Sequence, residues 1–136
     1  MPVSQTNSKV HYHALKRCGI GLMSALPETW LVHVIRMAEE DPEMKLVRLA
    51  KEEEGVGISA GAHLAGVKSA MLMQNHGFLA SVNGIVSCAQ LYRIPHTLLD
   101  SPDHVPRRIQ KAQTLAYSAS RPVALLLARD LMWEEA

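Results

Sequence analysis

A short apolar run, Leu46-Val47-Arg48-Leu49-Ala50, passes without a break into Lys51-Glu52-Glu53-Glu54-Gly55-Val56-Gly57-Ile58-Ser59-Ala60-Gly61-Ala62-His63. The run reads as a buried strand and the segment behind it as a helix. Three consecutive carboxylates stand at that helix's N-terminus, followed by Gly55, Gly57 and Gly61 among other small residues. Each glycine inside a helix costs roughly 1 kcal/mol relative to alanine. Such a helix makes sense where something packs very close to it, a second chain or a ligand. The acidic turn has two readings. Carboxylates there complement the helix dipole, by about 0.3–1 kcal/mol each. Alternatively, one glutamate points inward and works. Consecutive helical positions lie about 100° apart, so three in a row cannot all face one site.

The same alternation runs through the chain. Thr6 to Cys18 is a modest amphipathic helix, stopped by Gly19. Gly21 to Leu26 is a short buried strand, broken by Pro27, and Glu28-Thr29 starts a helix with Trp30, Leu31, Val34, Ile35 and Ala38 on one face. Met44 to Ala50 is the second strand, followed by the glutamate helix to Leu64, with Gly66 as its stop. Ser69 to Gln74 is a third strand; Asn75-His76-Gly77 turns into a helix over Phe78 to Tyr92. Ile94 to Leu99 is a fourth strand, with Pro95 at its start, and Asp100-Ser101-Pro102-Asp103 is a capping turn. Val105 to Tyr117 is a basic helix, Val123 to Ala128 the last strand, and Arg129 to Ala136 a surface tail. Short, continuously apolar strands between helices imply one α/β domain over residues 1–136, with three α/β/α layers and a mostly parallel central sheet. Sites in such sheets form beyond the carboxyl ends of the strands. The turns Ser24–Glu28, Ala50–Glu54 and Gln74–Gly77 therefore carry the candidates Ser24, Glu28, Glu53, Gln74, Asn75 and His76.

Composition removes several function classes. A net charge of +1 gives no reason to invoke nucleic acid or a membrane surface, and 4% aromatic residues make no stacking platform for bases. The two cysteines, Cys18 and Cys88, read as buried free thiols of a reducing compartment. Met1 to Asn7 has no signal-peptide pattern and no apolar run approaches a membrane span, so a cytoplasmic location is expected. The sequence contains no Walker loop, GxGxxG, GxSxG or HExxH. His11 and His13, two apart, fall on different helix faces and make a poor metal pair, so no metal site is expected. His63 reads as a surface or capping histidine, and Arg107-Arg108 as a solvated helix start. His76 sits at a strand end beside Gly77, where a working histidine would lie.

Three segments together carry a family resemblance. They are Val47 to Ile58, Gly61-Ala62-His63-Leu64-Ala65-Gly66, and Leu72-Met73-Gln74-Asn75-His76-Gly77. Ser24-Ala25-Leu26-Pro27 and Pro122 to Leu127 extend it over nearly the whole chain. The chain resembles the pyrimidine-binding domain of thiamine-diphosphate enzymes, in the branch of sulfopyruvate decarboxylase α subunits and phosphonopyruvate decarboxylases. The resemblance implies that Glu53 is the essential glutamate. A carboxyl group there hydrogen-bonds N1′ of the cofactor's aminopyrimidine and promotes proton loss from C2 of the thiazolium, the nucleophile toward a 2-oxo acid. That glutamate must share a proton near neutral pH, so desolvation has to outweigh the helix dipole. Catalysis falls to Glu53 and His76, and cofactor contacts to Glu53, Pro27, Gln74, Asn75 and Gly77.

The family's diphosphate-binding GDG segment is absent from the sequence. The resemblance therefore implies a split enzyme. This chain would be the α subunit, and a β subunit would supply diphosphate and Mg²⁺ binding in a hetero-oligomer. Sulfopyruvate decarboxylation to sulfoacetaldehyde is the leading reaction, phosphonopyruvate the next, and a carboligase subunit the third. A non-catalytic α/β binding module is the reading from another class. The chain departs from the family at His76, where serine is commoner, and at Leu79-Ala80, where Gly-Asn is commoner. It departs again at Asp100-Ser101-Pro102-Asp103-His104, where an arginine–glycine loop is usual, and it is short of one helix–strand unit before the last strand. These changes cluster near the expected substrate pocket. His76 would replace a serine hydrogen bond, relay a proton, or contact an anionic substrate group.

Overall fold

The first strand decides the layering. It is β1, Leu22–Ala25, and it pairs in parallel with β2, Lys45–Arg48, on one side and β3, Ser69–Leu72, on the other. Met23 lies beside Leu46 and Ala70 in register, and Ser24 beside Val47 and Met71. Successive strand residues point to opposite faces. The Met23 face is covered by helices α1, Gln5–Arg17, α2, Val32–Glu40, and the later Val105–Ser118, with Tyr12, Leu15, Val34, Ala38, Val105 and Ile109 buried together. The Ser24 face is covered by α3, Glu52–Leu64. There Gly55 lets the helix close on the sheet: a Cβ at Gly55 would lie under 3.0 Å from Met71 and Leu49. Both faces are thus closed by helices, as the unbroken apolar strands require.

The computed structural model describes residues 2–89, 96–99, 101–118, 123–127 and 132, with backbone alone at 88–89, 96–99 and 124–127. After β3 come α4, Asn75–Ala80, and α5, Val82–Ala89, both against α3. Strand β4, His96–Leu99, pairs in parallel with β5, Ala124–Leu127, around α6, Val105–Ser118. Among the described residues no ladder joins β4 and β5 to the three-stranded sheet. The expected ends at Tyr92, Ile94 and Pro95, the turn residue Asp100, and the tail except Met132 lie outside the described residues.

Several boundaries differ from expectation. The second helix starts at Val32 rather than Glu28, because residues 26–28 stay out of the helix and Glu28 spends its side chain on Gln74. The helix expected from Phe78 begins at Asn75, so His76 lies in a first helical turn instead of a loop. It also breaks at Ser81, which is fully buried and whose hydroxyl donates back to the Gly77 carbonyl at 2.7 Å. Such back-bonding bends helices. Gly19 and Gly66 end their helices as expected, with φ of 75° and 72°.

Candidate active site at the strand ends

The strand order β2-β1-β3 fixes where an opening can form. β1 sends its following helix, α2, to the Met23 face. β3 sends α4 and α5 to the opposite face, against α3. Neighbouring strands whose connections diverge leave a crevice at their carboxyl ends. The three turns singled out from the sequence meet there.

Two contacts tie the turns together. The Gln74 side-chain amide, at the end of β3, donates to Oε1 of Glu28, at the end of β1. Glu52, at the start of α3, lies against Gly77 in α4, where a Cβ would fall under 3.0 Å from three atoms of the glutamate side chain. Gly77 is therefore a close-approach position in this chain: it makes room for Glu52.

The three consecutive carboxylates take three different roles. Glu54 caps its own helix, its Oε2 accepting from the backbone N–H of Ala50 at 3.0 Å and of Lys51 at 3.4 Å. This is the N-terminal acidic function that the helix dipole favours. Glu52 is half-buried against Gly77. Glu53 is exposed, and among the described residues its carboxylate has neither hydrogen bond nor ion pair. It lines a shallow concavity of about 410 Å³ with Lys51, Glu52 and Ala80. Gly84 of α5 packs close behind it, with space for a Cβ 3.6 Å from the Glu53 carbonyl oxygen.

Of the remaining candidates, Pro27 follows β1, Asn75 and His76 open α4, and all three are exposed. Ser24 is fully buried on the α3 face, its hydroxyl unpartnered among the described residues. Sequence reasoning placed Glu28 on the right turn without a role and gave Glu52 none. The signal for Glu28 was an acidic residue directly after the proline that follows β1; for Glu52 there was none, because its partner Gly77 is 25 residues away. Among the described residues no group of three or more His, Cys, Asp and Glu side chains is placed to hold a metal.

Fold and site together define a parallel α/β domain with a carboxylate-lined concavity between the start of α3 and the end of α4. No family model matches the chain. Curated proteins do. It is 38% identical over 107 residues to sulfopyruvate decarboxylase subunit alpha of Methanothermobacter thermautotrophicus, covering 79% of this chain and 65% of that one. The corresponding subunit of Methanocaldococcus jannaschii is 37% identical over 103 residues, 72% of this chain and 61% of its own. That of Methanococcus maripaludis is 34% identical over 94 residues, 69% and 56%. The chain thus spans between 56% and 65% of the length of these relatives. It is a relative of the sulfopyruvate decarboxylase α subunits, as its glutamate and glutamine segments imply.

Proposed function

We propose that this chain is the pyrimidine-binding α subunit of a two-subunit, thiamine-diphosphate-dependent 2-oxo acid decarboxylase, with sulfopyruvate as substrate. The observation that carries the reading is the state of Glu53. Its two neighbours are committed, one to a cap and one to Gly77, while Glu53 itself lines a concavity between α3 and α4 with its carboxylate unspent among the described residues. The names of the relatives point to the same reaction.

The chain's own residues fit the pyrimidine half of that cofactor. They offer an open hydrogen-bond acceptor without a partner among the described residues, the Glu53 carboxylate. A heterocycle with ring N–H and amine donors suits it. When bound, the cofactor supplies the thiazolium that takes up the electrons left by departing carbon dioxide. Glu53 would hold the proton at N1′ of the aminopyrimidine; Pro27, Gln74 and Asn75 would be the further residues offered to the ring, and His76 would serve the substrate. Mg²⁺ and the diphosphate fall to a β subunit, which also covers Glu53 and excludes water. No helix among the described residues is long and apolar enough to cross a membrane; the cytoplasm is the expected place for the assembly.

The test is carbon dioxide release from sulfopyruvate by this chain co-expressed with its GDG-bearing partner, with thiamine diphosphate and Mg²⁺. We expect release only with both chains, and at least a ~100-fold loss in Glu53→Gln, the scale on which a positioned acid–base group acts. Near-normal turnover by that variant would sink the assignment.

A further inference from the structure

Lys51 lines the same concavity as Glu53, with Glu52 and Ala80. It stands at the N-cap of α3. Helices favour serine, threonine, aspartate or asparagine there, whose side chains accept from the first turn. A lysine side chain has no acceptor to offer. Its charge also sits at the positive end of the helix, where a cation is disfavoured. The capping falls to Glu54 instead, through the Ala50 and Lys51 N–H groups. The Lys51 ammonium gains nothing in exchange within the chain. Glutamates occupy the next three positions, yet among the described residues Lys51 makes no ion pair. A position that breaks the local rule without a compensating contact is one to explain by function. The open concavity thus holds a cation that the described residues leave unpaired, beside a carboxylate that they also leave unpaired.

We propose that Lys51 is a specificity-determining residue of this site: its ammonium takes the sulfonate of the substrate. This rests on the decarboxylase reading above and deepens it. Sulfopyruvate brings two anionic groups, a carboxylate that departs as carbon dioxide and a sulfonate that stays. A cation paired with the carboxylate would stabilise the ground state and lose its partner as the bond breaks, which raises the barrier. A cation paired with the sulfonate is matched equally before and after cleavage. It contributes binding and selectivity without opposing the chemistry. A compact ammonium on a flexible stem can follow such a group. Lys51 is exposed in the chain by itself; a subunit that closes the concavity takes the pair out of water and strengthens it.

The experiment uses the chain assembled with its GDG-bearing partner, thiamine diphosphate and Mg²⁺, as wild type, Lys51→Met and Lys51→Arg. kcat/KM is measured for sulfopyruvate and for pyruvate, which keeps the 2-oxo acid and lacks the sulfonate. Binding of 3-sulfopropionate, which carries the sulfonate but no keto carbon to react, is followed by titration calorimetry on the same preparations. In Lys51→Met the preference for sulfopyruvate over pyruvate should fall at least about tenfold, through KM, the scale of one charge-assisted contact. The dissociation constant of 3-sulfopropionate should rise by a similar factor, and Lys51→Arg should keep most of both. The preference is a ratio on one preparation, so partly misfolded protein cancels from it. Full preference retained in Lys51→Met overturns the role of Lys51 alone. So does an equal loss for both substrates, which would mean that Lys51 acts through Glu53 or the fold. No turnover of sulfopyruvate by the wild-type assembly overturns the decarboxylase reading and this inference with it.

Discussion

At the scale of single residues, the site depends on how neighbours exclude one another. Glu53 is available because Glu54 is bound to the Ala50 and Lys51 N–H groups and Glu52 occupies the space over Gly77. Sequence spacing cannot assign these roles, since the three side chains differ only by rotation about one helix axis. The family resemblance picked out Glu53, whereas the partners of the other two are tertiary and invisible in the sequence. The Glu52–Gly77 contact can be measured. Gly77→Ala should gain about 0.5–1 kcal/mol of helix propensity but must push Glu52 aside. In a Glu52→Ala background the gain should appear in full; in wild type it should be cancelled. Urea unfolding of the four proteins would give a coupling of about 1 kcal/mol. Equal effects of Gly77→Ala in both backgrounds would show that the two side chains do not compete.

At the scale of elements, apolar runs and glycine stops were enough to find β1 to β5 among the described residues and to end α1 and α3. What they could not find were the ties between elements. One of these joins α1 to the α2–β2 connection. Tyr12 donates to Asp41 Oδ2 at 2.6 Å, Lys16 reaches Asp41 at 2.8 Å and Glu43 at 2.9 Å, and the Glu43 N–H donates to Asp41 Oδ1 at 2.8 Å. Lys16 above all, then Tyr12, holds the Asp41 carboxyl down to about 2. Elsewhere on α1, burial lowers the His11 imidazole below its ordinary value of 6.5, against a smaller opposing effect of the bond to the Asn7 carbonyl. Its Nε2 is buried without a partner among the described residues. Both groups bind protons more readily in the unfolded chain, so both contributions are complete above the unfolded value and fade as pH falls. Stability should decline first below 6.5, where His11 takes up a proton only on unfolding, and again between 3.8 and about 2 through Asp41. Urea midpoints followed from neutral pH into acid should show both declines. His11→Leu should remove the first and Asp41→Asn the second; an unchanged profile in either variant would contradict the assigned group.

At the scale of the whole molecule, helices cover both faces of the sheet, and among the described residues the most exposed apolar cluster outside α3 is on α4 and α5. α1, α2 and α6 bury a continuous apolar cluster on the Met23 face. On the other side α3, α4 and α5 leave large apolar residues in water: Leu79 is 68% exposed, and Phe78, Val82 and Val86 are exposed with it. Gly57 and Gly61 of α3 have nothing within 4 Å of a would-be Cβ. Of the glycines in that helix, only Gly55 is explained by packing within the chain. This cluster begins at Ala80, on the wall of the Glu53 concavity. On the proposed reading, the subunit that completes the site beside Glu53 would cover α4 as well, and an apolar patch next to a site is what such a partner would bury. Leu79→Asp tests this without touching the core, because so exposed a side chain contributes little to folding of the chain itself. The variant should keep the wild-type thermal midpoint as an isolated chain. In sedimentation against the GDG-bearing partner it should bind at least about tenfold more weakly, since burying one unpaired carboxylate in an interface costs more than 1.4 kcal/mol. Undiminished assembly would place the partner on a different face, away from the Glu53 concavity that it is proposed to complete.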